Sequence, residues 1–163
     1  MKKYIVLACL FQVGCDLPEL SSRDRIAISE GFSAEQTELI ISSIEQWCIA
    51  TDGGICPSYY IGEFGDDWQV SNVRLEEHAL GITRPRIKFI GLDLSQLNSR
   101  EPDLFECAIL HELGHAITIH GHVESSSLMM AEPKTYVTCI DASAIRNVCA
   151  LKNCGDNWGP TCK

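Results

Sequence analysis

Residues 111–122 read His-Glu-Leu-Gly-His-Ala-Ile-Thr-Ile-His-Gly-His and hold four of the five histidines in the 163-residue chain. The first five have the form H-E-x-x-H. On a helix, His111 and His115 lie four positions apart, so they share one face about 40° apart in projection. Two imidazoles so placed can take adjacent corners of a tetrahedral zinc ion. Glu112 is offset by about 100°. It can reach a water at the metal without being a ligand. A catalytic zinc needs a third protein ligand and leaves a fourth position for water. If the helix simply continued, His122 would project near His111 but about 16 Å along the axis, and His120 would face the opposite way. The helix must therefore stop and the chain fold back over the metal, and Gly121 can supply an unusual backbone angle for that return.

The elements that must position these residues are legible in part. Ser33 followed by Gln36 is a capping-box signal. Behind it Leu39, Ile40, Ile44, Trp47 and Cys48 recur at helical spacing, which predicts an amphipathic helix over 34–50, ended by Asp52-Gly53-Gly54. Residues 57–92 predict strands at Tyr59–Ile61, Gln69–Leu75, Ala79–Thr83 and Arg86–Gly91, with a turn at Gly65-Asp66-Asp67. Asp66, Asp67, Glu76 and Glu77 can in principle hold calcium, but solvated turn carboxylates are the commoner use of such residues. His78 is isolated and reads as a surface or strand histidine. Ser99 to Pro102 opens the helix that carries His111, Glu112 and His115, with Pro102 suited to its first turn. Ser125 to Met130 reads as a loop and turn. Asp141 is a good N-cap for a last helix of about ten residues, with Ala144, Ile145, Val148 and Leu151 facing inward. Residues 16–32 read as a linker or a first irregular strand.

The formal net charge of −9 argues against nucleic acid and anionic membrane surfaces as partners. Lys2 and Lys3 followed by the apolar residues 4–13 form a processing signal, too short to span a bilayer. Gly14-Cys15 directly after that stretch resembles a bacterial lipoprotein cleavage site, although Gln12 stands where such sites carry leucine. The expectation is a signal peptide over 1–14, a lipidated Cys15, a linker over 15–32 and a catalytic domain over 33–163. A plain secretory signal is the alternative, in which case the protein is secreted rather than held in the cell envelope. Nine cysteines fit an oxidising compartment. Cys48–Cys56 would close a short loop over Gly53-Gly54, and Cys139, Cys149, Cys154 and Cys162 would make two bridges of unreadable connectivity. Cys107, one turn before His111, is expected to be buried and is the candidate for a free thiol.

With these residues in view, the sequence resembles the metzincins, especially matrixin-like and small bacterial members. Their pattern is H-E-x-x-H-x-x-G-x-x-H followed by a methionine-containing turn beneath the zinc. His111 to Ala116 match the opening, and Ser127-Leu128-Met129 resembles the Ser-x-Met of the turn, which prefers Met129 over Met130. Leu80, Gly81 and Ile82 look like part of the family's antiparallel edge strand above the cleft, and the helix from Asp141 to Leu151 looks like its closing helix. Thr118 stands where the family has glycine, and Gly121 stands where it has the third histidine. A one-residue insertion is easier to absorb in a loop than a deletion, which favours His122 over His120 as third ligand. Tyrosine, found in some members two residues after the methionine, is replaced by Ala131.

The resemblance implies an α+β fold of the zincin/metzincin type: a twisted mixed sheet with an edge strand over the cleft, a backing helix, an active-site helix, the methionine turn and a C-terminal helix. It implies one catalytic Zn2+ held by His111, His115 and His122, with Glu112 as general base in a metalloendopeptidase acting on extended peptide or protein substrates. The chain is expected to be a monomer that meets membrane only through the lipid on Cys15. Three alternatives stay open. One is a zincin whose third ligand is a carboxylate: Glu124, Glu132 or Asp141. Another is an idle zinc-binding surface lipoprotein serving binding or adhesion, against which the intact Glu112 speaks. The last is a metal hydrolase of cell-wall or other amide bonds.

Overall fold

The computed structural model describes residues 17–63, 65–76, 79–97, 102–118, 121–122, 128–129 and 137–162. Five strands and three helices follow in the order β1 (Arg25–Ile28), α1 (Ala34–Ala50), β2 (Ser58–Ile61), β3 (Trp68–Asn72), β4 (Gly81–Arg84), β5 (Phe89–Leu92), α2 (Pro102–Ile117) and α3 (Ala142–Leu151). A turn of 3-10 helix at Pro85–Ile87 joins β4 to β5. The strands form one mixed sheet in the order β2-β1-β3-β5-β4. All neighbours are parallel except β4, which runs antiparallel to β5 and forms one edge. The architecture is α+β.

Helix α1 begins where its local chemistry dictates. Ser33 Oγ accepts from the Gln36 N–H and the Gln36 side chain accepts from the Ser33 N–H, so two orphan donors are satisfied reciprocally. Its buried stripe is Ile40, Ser43, Ile44, Trp47 and Ala50. The stripe packs on α2, which also lies against β4 and β5. Trp47 Nε1 donates to the Leu110 carbonyl at 3.2 Å, one residue before His111. The backing helix thus holds the histidine-bearing helix by a buried polar contact as well as by apolar area.

Residues 16–32, read as a linker or a first irregular strand, contain a strand in the structure. Their second half holds β1, paired on both sides, with Ile26, Ala27 and Ile28 fully buried, and Leu20 is buried as well. A parallel strand with both faces covered shows no alternation of polar and apolar residues, which is why four residues between polar neighbours give so weak a signal. The Leu20 N–H donates to the Ala116 carbonyl at 2.8 Å and satisfies a group at the open end of α2. The other strands are present but shifted: β3 ends at Asn72, β4 covers Gly81–Arg84, and the 3-10 turn takes the first residues assigned to the last strand. Asp67 accepts from Arg25 at 3.1 Å and from Tyr60 at 3.0 Å, so this turn carboxylate serves an ion pair. Glu77 and His78 lie outside the described residues.

Among the described residues three disulfides brace the chain: Cys48–Cys56, Cys139–Cys162 and Cys149–Cys154. Cys107 is free and buried. The bridges fit an exported protein in an oxidising compartment. Among the described residues no helix is long and apolar enough to cross a membrane. Cys15 and the expected signal lie outside the described residues.

Asp93 anchors the approach to β4. Its buried carboxylate accepts from the Ser95 hydroxyl and N–H, from the Leu75 N–H at 2.7 Å and from the Gln96 amide at 3.1 Å. Gln96 in turn donates to the carbonyls of Glu76 and Ala79. These bonds, led by the Ser95 hydroxyl and the Leu75 N–H, hold the Asp93 carboxyl well below the usual range. Its folded-state pKa is depressed, so its contribution is complete above the unfolded value of about 3.9 and is lost as pH falls below that. Asp93→Ala is expected to lower Tm at pH 7. The gap from wild type should narrow progressively below about pH 4, as thermal melts across pH would show.

Candidate metal centre

Helix α2 presents His111 and His115 from one face, and the chain returns so that His122 joins them. The ring centroids are 4.6 Å apart for His111–His115 and 5.2 Å for each of the other two pairs. One ligand atom from each of the three lies within 4.8 Å of the others. The Nε2 atoms of His111 and His115 are 3.0 Å apart. Two corners of a tetrahedral zinc with bonds of about 2.0–2.1 Å are about 3.3 Å apart, so a few tenths of an ångström separates this pair from that geometry. Three converging imidazoles are a donor set suited to zinc.

A second tier of bonds fixes the first. His111 Nδ1 lies 2.8 Å from the Leu128 carbonyl. A carbonyl only accepts, so Nδ1 carries the proton and Nε2 keeps its lone pair for a metal. Burial first, then the neighbouring His115, pushes the His111 pKa down to about 4, and burial lowers that of His122. Neutral imidazoles are the form that binds metal. Leu128 is itself held, because its N–H donates to Asp141 Oδ2 at 3.0 Å while Asp141 Oδ1 caps α3 at Ser143 and Ala144. Both carboxylate oxygens of Asp141 are thus engaged in joining the turn to α3.

The turn also touches α2 at Gly114. A Cβ there would lie 2.7 Å from the Met129 sulfur and 3.3 Å from the Trp47 ring. Glycine inside a helix costs about 1 kcal/mol relative to alanine, and here it makes room for a buried methionine. Met129 therefore lies beside the helix turn that bears both histidines.

Glu112 points to the other side of the pair, under β4. It is buried, and the Thr83 hydroxyl lies 2.7 Å from its Oε2 and 2.9 Å from its main-chain carbonyl. Burial pushes its pKa up to about 7, against the opposing pull of the Thr83 hydroxyl. A Cβ on Gly81 would lie 2.7 Å from Glu112 Cγ and 2.8 Å from Oε1. Gly81 is thus required by the close approach of the helix. Thr83 and Leu128 fall in the edge strand and turn read from the sequence, but their contacts with Glu112 and His111, and the linking role of Asp141, were not read from it. Their only sequence signal is proximity to the motifs, since each contact spans 13 residues or more.

Of the remaining candidates, Ile82 lies within β4 and Leu80 just before it. His120, Met130, Glu124 and Glu132 lie outside the described residues. No family model matches the chain, and no curated protein matches it.

Two outcomes follow from this geometry. Gly114→Ala should displace Met129 and the Leu128 carbonyl with it, lowering stability by about 1–3 kcal/mol. Denaturant melts would measure this, and the same variant should bind zinc more weakly. His122→Ala should weaken zinc by more than about 100-fold, beyond what loss of an outer hydrogen-bond partner costs. His120→Ala should change it far less, as a competitive metal titration of the two variants would show.

Proposed function

We propose that the chain is a zinc-dependent metalloendopeptidase of metzincin-like fold, exported and acting on extended polypeptide. The observation that carries this reading is the triplet His111, His115 and His122 beside a buried Glu112 that is not needed as a ligand. The resemblance in sequence adds the fold: an antiparallel edge strand near the site, a buried methionine beside the histidine-bearing helix, and a helix closing the chain. When bound, zinc supplies a Lewis acid that acidifies water and polarises the scissile carbonyl.

The protein's own groups do the rest. Glu112 accepts the proton of the attacking water and later delivers it to the leaving amine. The edge strand aligns the peptide. The Asp93 N–H donates to the Leu80 carbonyl, and in the register Ile82↔Gly91 and Arg84↔Phe89 the hydrogen-bonded pairs recur every second residue. The intervening Leu92 gives its carbonyl to Val73 on the β3 side. Gly81 and Thr83 therefore turn their main-chain N–H and C=O away from β5, toward the edge that β4 forms among the described residues. An extended peptide added there gains a ladder of main-chain bonds, with its own side chains left to read neighbouring surface. The docking atoms are those of Gly81 and Thr83, while Leu80 and Ile82 direct their main chain inward.

Glu112→Gln is expected to keep its zinc and lose hydrolysis by about 10²- to 10⁴-fold. Zinc content by atomic absorption and cleavage of a mixed peptide library, with wild type alongside, measure both. Equal cleavage by the variant would remove Glu112 from the mechanism. A zinc-loaded wild type that cleaves nothing would favour the idle binding protein.

A further inference from the structure

We propose that Thr83 is a positioning residue for Glu112, holding the base from the strand on which the substrate lies. The inference rests on the peptidase reading above. Thr83 Oγ1 sits between two oxygens of one residue, Oε2 of Glu112 at 2.7 Å and its main-chain carbonyl at 2.9 Å. A contact to both the side chain and the backbone of a single residue restricts the torsions between them. Gly81 completes the restraint. It lies two residues away on the same face of β4, and its missing Cβ leaves the space filled by Cγ and Oε1 of Glu112. The carboxyl group is therefore bounded by bare backbone on one oxygen and by a hydroxyl on the other. It is buried, and the Thr83 hydroxyl is the side-chain hydrogen-bond partner seen for it among the described residues.

The placement of Thr83 on β4 gives this contact a consequence beyond packing. The main-chain N–H and C=O of Thr83 face the edge that β4 forms, and its side chain reaches Glu112. A peptide seated on the strand thus bonds to the same residue that aims the base. Misplacing a catalytic group by about 1 Å can cost 10²-fold in rate, so a loosened Glu112 should slow the chemical step more than binding. With a purely structural threonine, activity would instead fall only in step with the fraction of folded, metal-loaded protein.

The test uses the full, zinc-loaded chain and one internally quenched peptide chosen from a mixed library by wild-type cleavage. Thr83→Val keeps the shape and the β-branching and removes the hydroxyl, and Thr83→Ser keeps the hydroxyl. The valine variant should lose roughly 10- to 100-fold in kcat with KM and zinc content close to wild type, measured well below the Tm of both proteins because loss of the buried partner also lowers stability. The serine variant should recover most of that loss. An active wild type whose valine variant keeps full kcat, or loses activity only in proportion to lost zinc, overturns this inference alone. A wild type that holds zinc and cleaves no peptide overturns the peptidase reading and this inference with it.

Discussion

Glu112 places a carboxyl group in the interior of the protein, where it destabilises the fold unless it is partnered. The structure meets that demand by bringing α2 against β4, where Gly81 leaves the space that the Glu112 side chain fills and the Thr83 hydroxyl is within reach. Much of the remaining architecture serves this one approach. Asp93 ties down the chain before β4, so the strand arrives at a fixed height. Trp47 reaches across from α1 to the carbonyl of Leu110 and fixes the helix from behind. Gly114 lets the buried Met129 sit flush against the same turn of helix. Helix α2 is thereby held between an edge strand and a turn from elsewhere in the chain, with its polar residues divided between the two sides.

The histidines depend on the second of those contacts. His111 takes its tautomer from the Leu128 carbonyl, and Leu128 takes its position from the carboxylate that caps α3. The closing helix thus reaches the metal ligands through Asp141 and one turn of backbone. Outer groups of this kind orient ligands and raise their basicity, and removing them typically costs 10- to 100-fold in metal affinity. The Cys139–Cys162 and Cys149–Cys154 bridges brace the region around α3. Their relation to the site is indirect, through the position of Asp141.

The parts of this arrangement that sequence reveals are those set by neighbours along the chain. Ser33 and Gln36 start α1, Asp141 starts α3, and the four-residue spacing of His111 and His115 works because a helix repeats every 3.6 residues. Residues 16–32 left linker and irregular strand undecided, because a short strand covered on both faces, as at 25–28, has no periodicity to read. Short strands also leave their ends undetermined, which is why β4 begins two residues later than alternation indicated. The contacts that complete the site, Thr83 with Glu112 and Leu128 with His111, join residues 29 and 17 positions apart. They exist only once sheet, helix and turn are assembled.

The central claim is that His111, His115 and His122 together hold one zinc ion with Glu112 outside its coordination sphere. Diffraction from zinc-loaded crystals at the zinc absorption edge tests it most directly. The account predicts a single anomalous peak at about 2.0–2.1 Å from one nitrogen of each of the three histidines, with Glu112 beyond bonding distance. A peak ligated by a carboxylate or by His120 in place of His122, or no peak among the three rings, would contradict it.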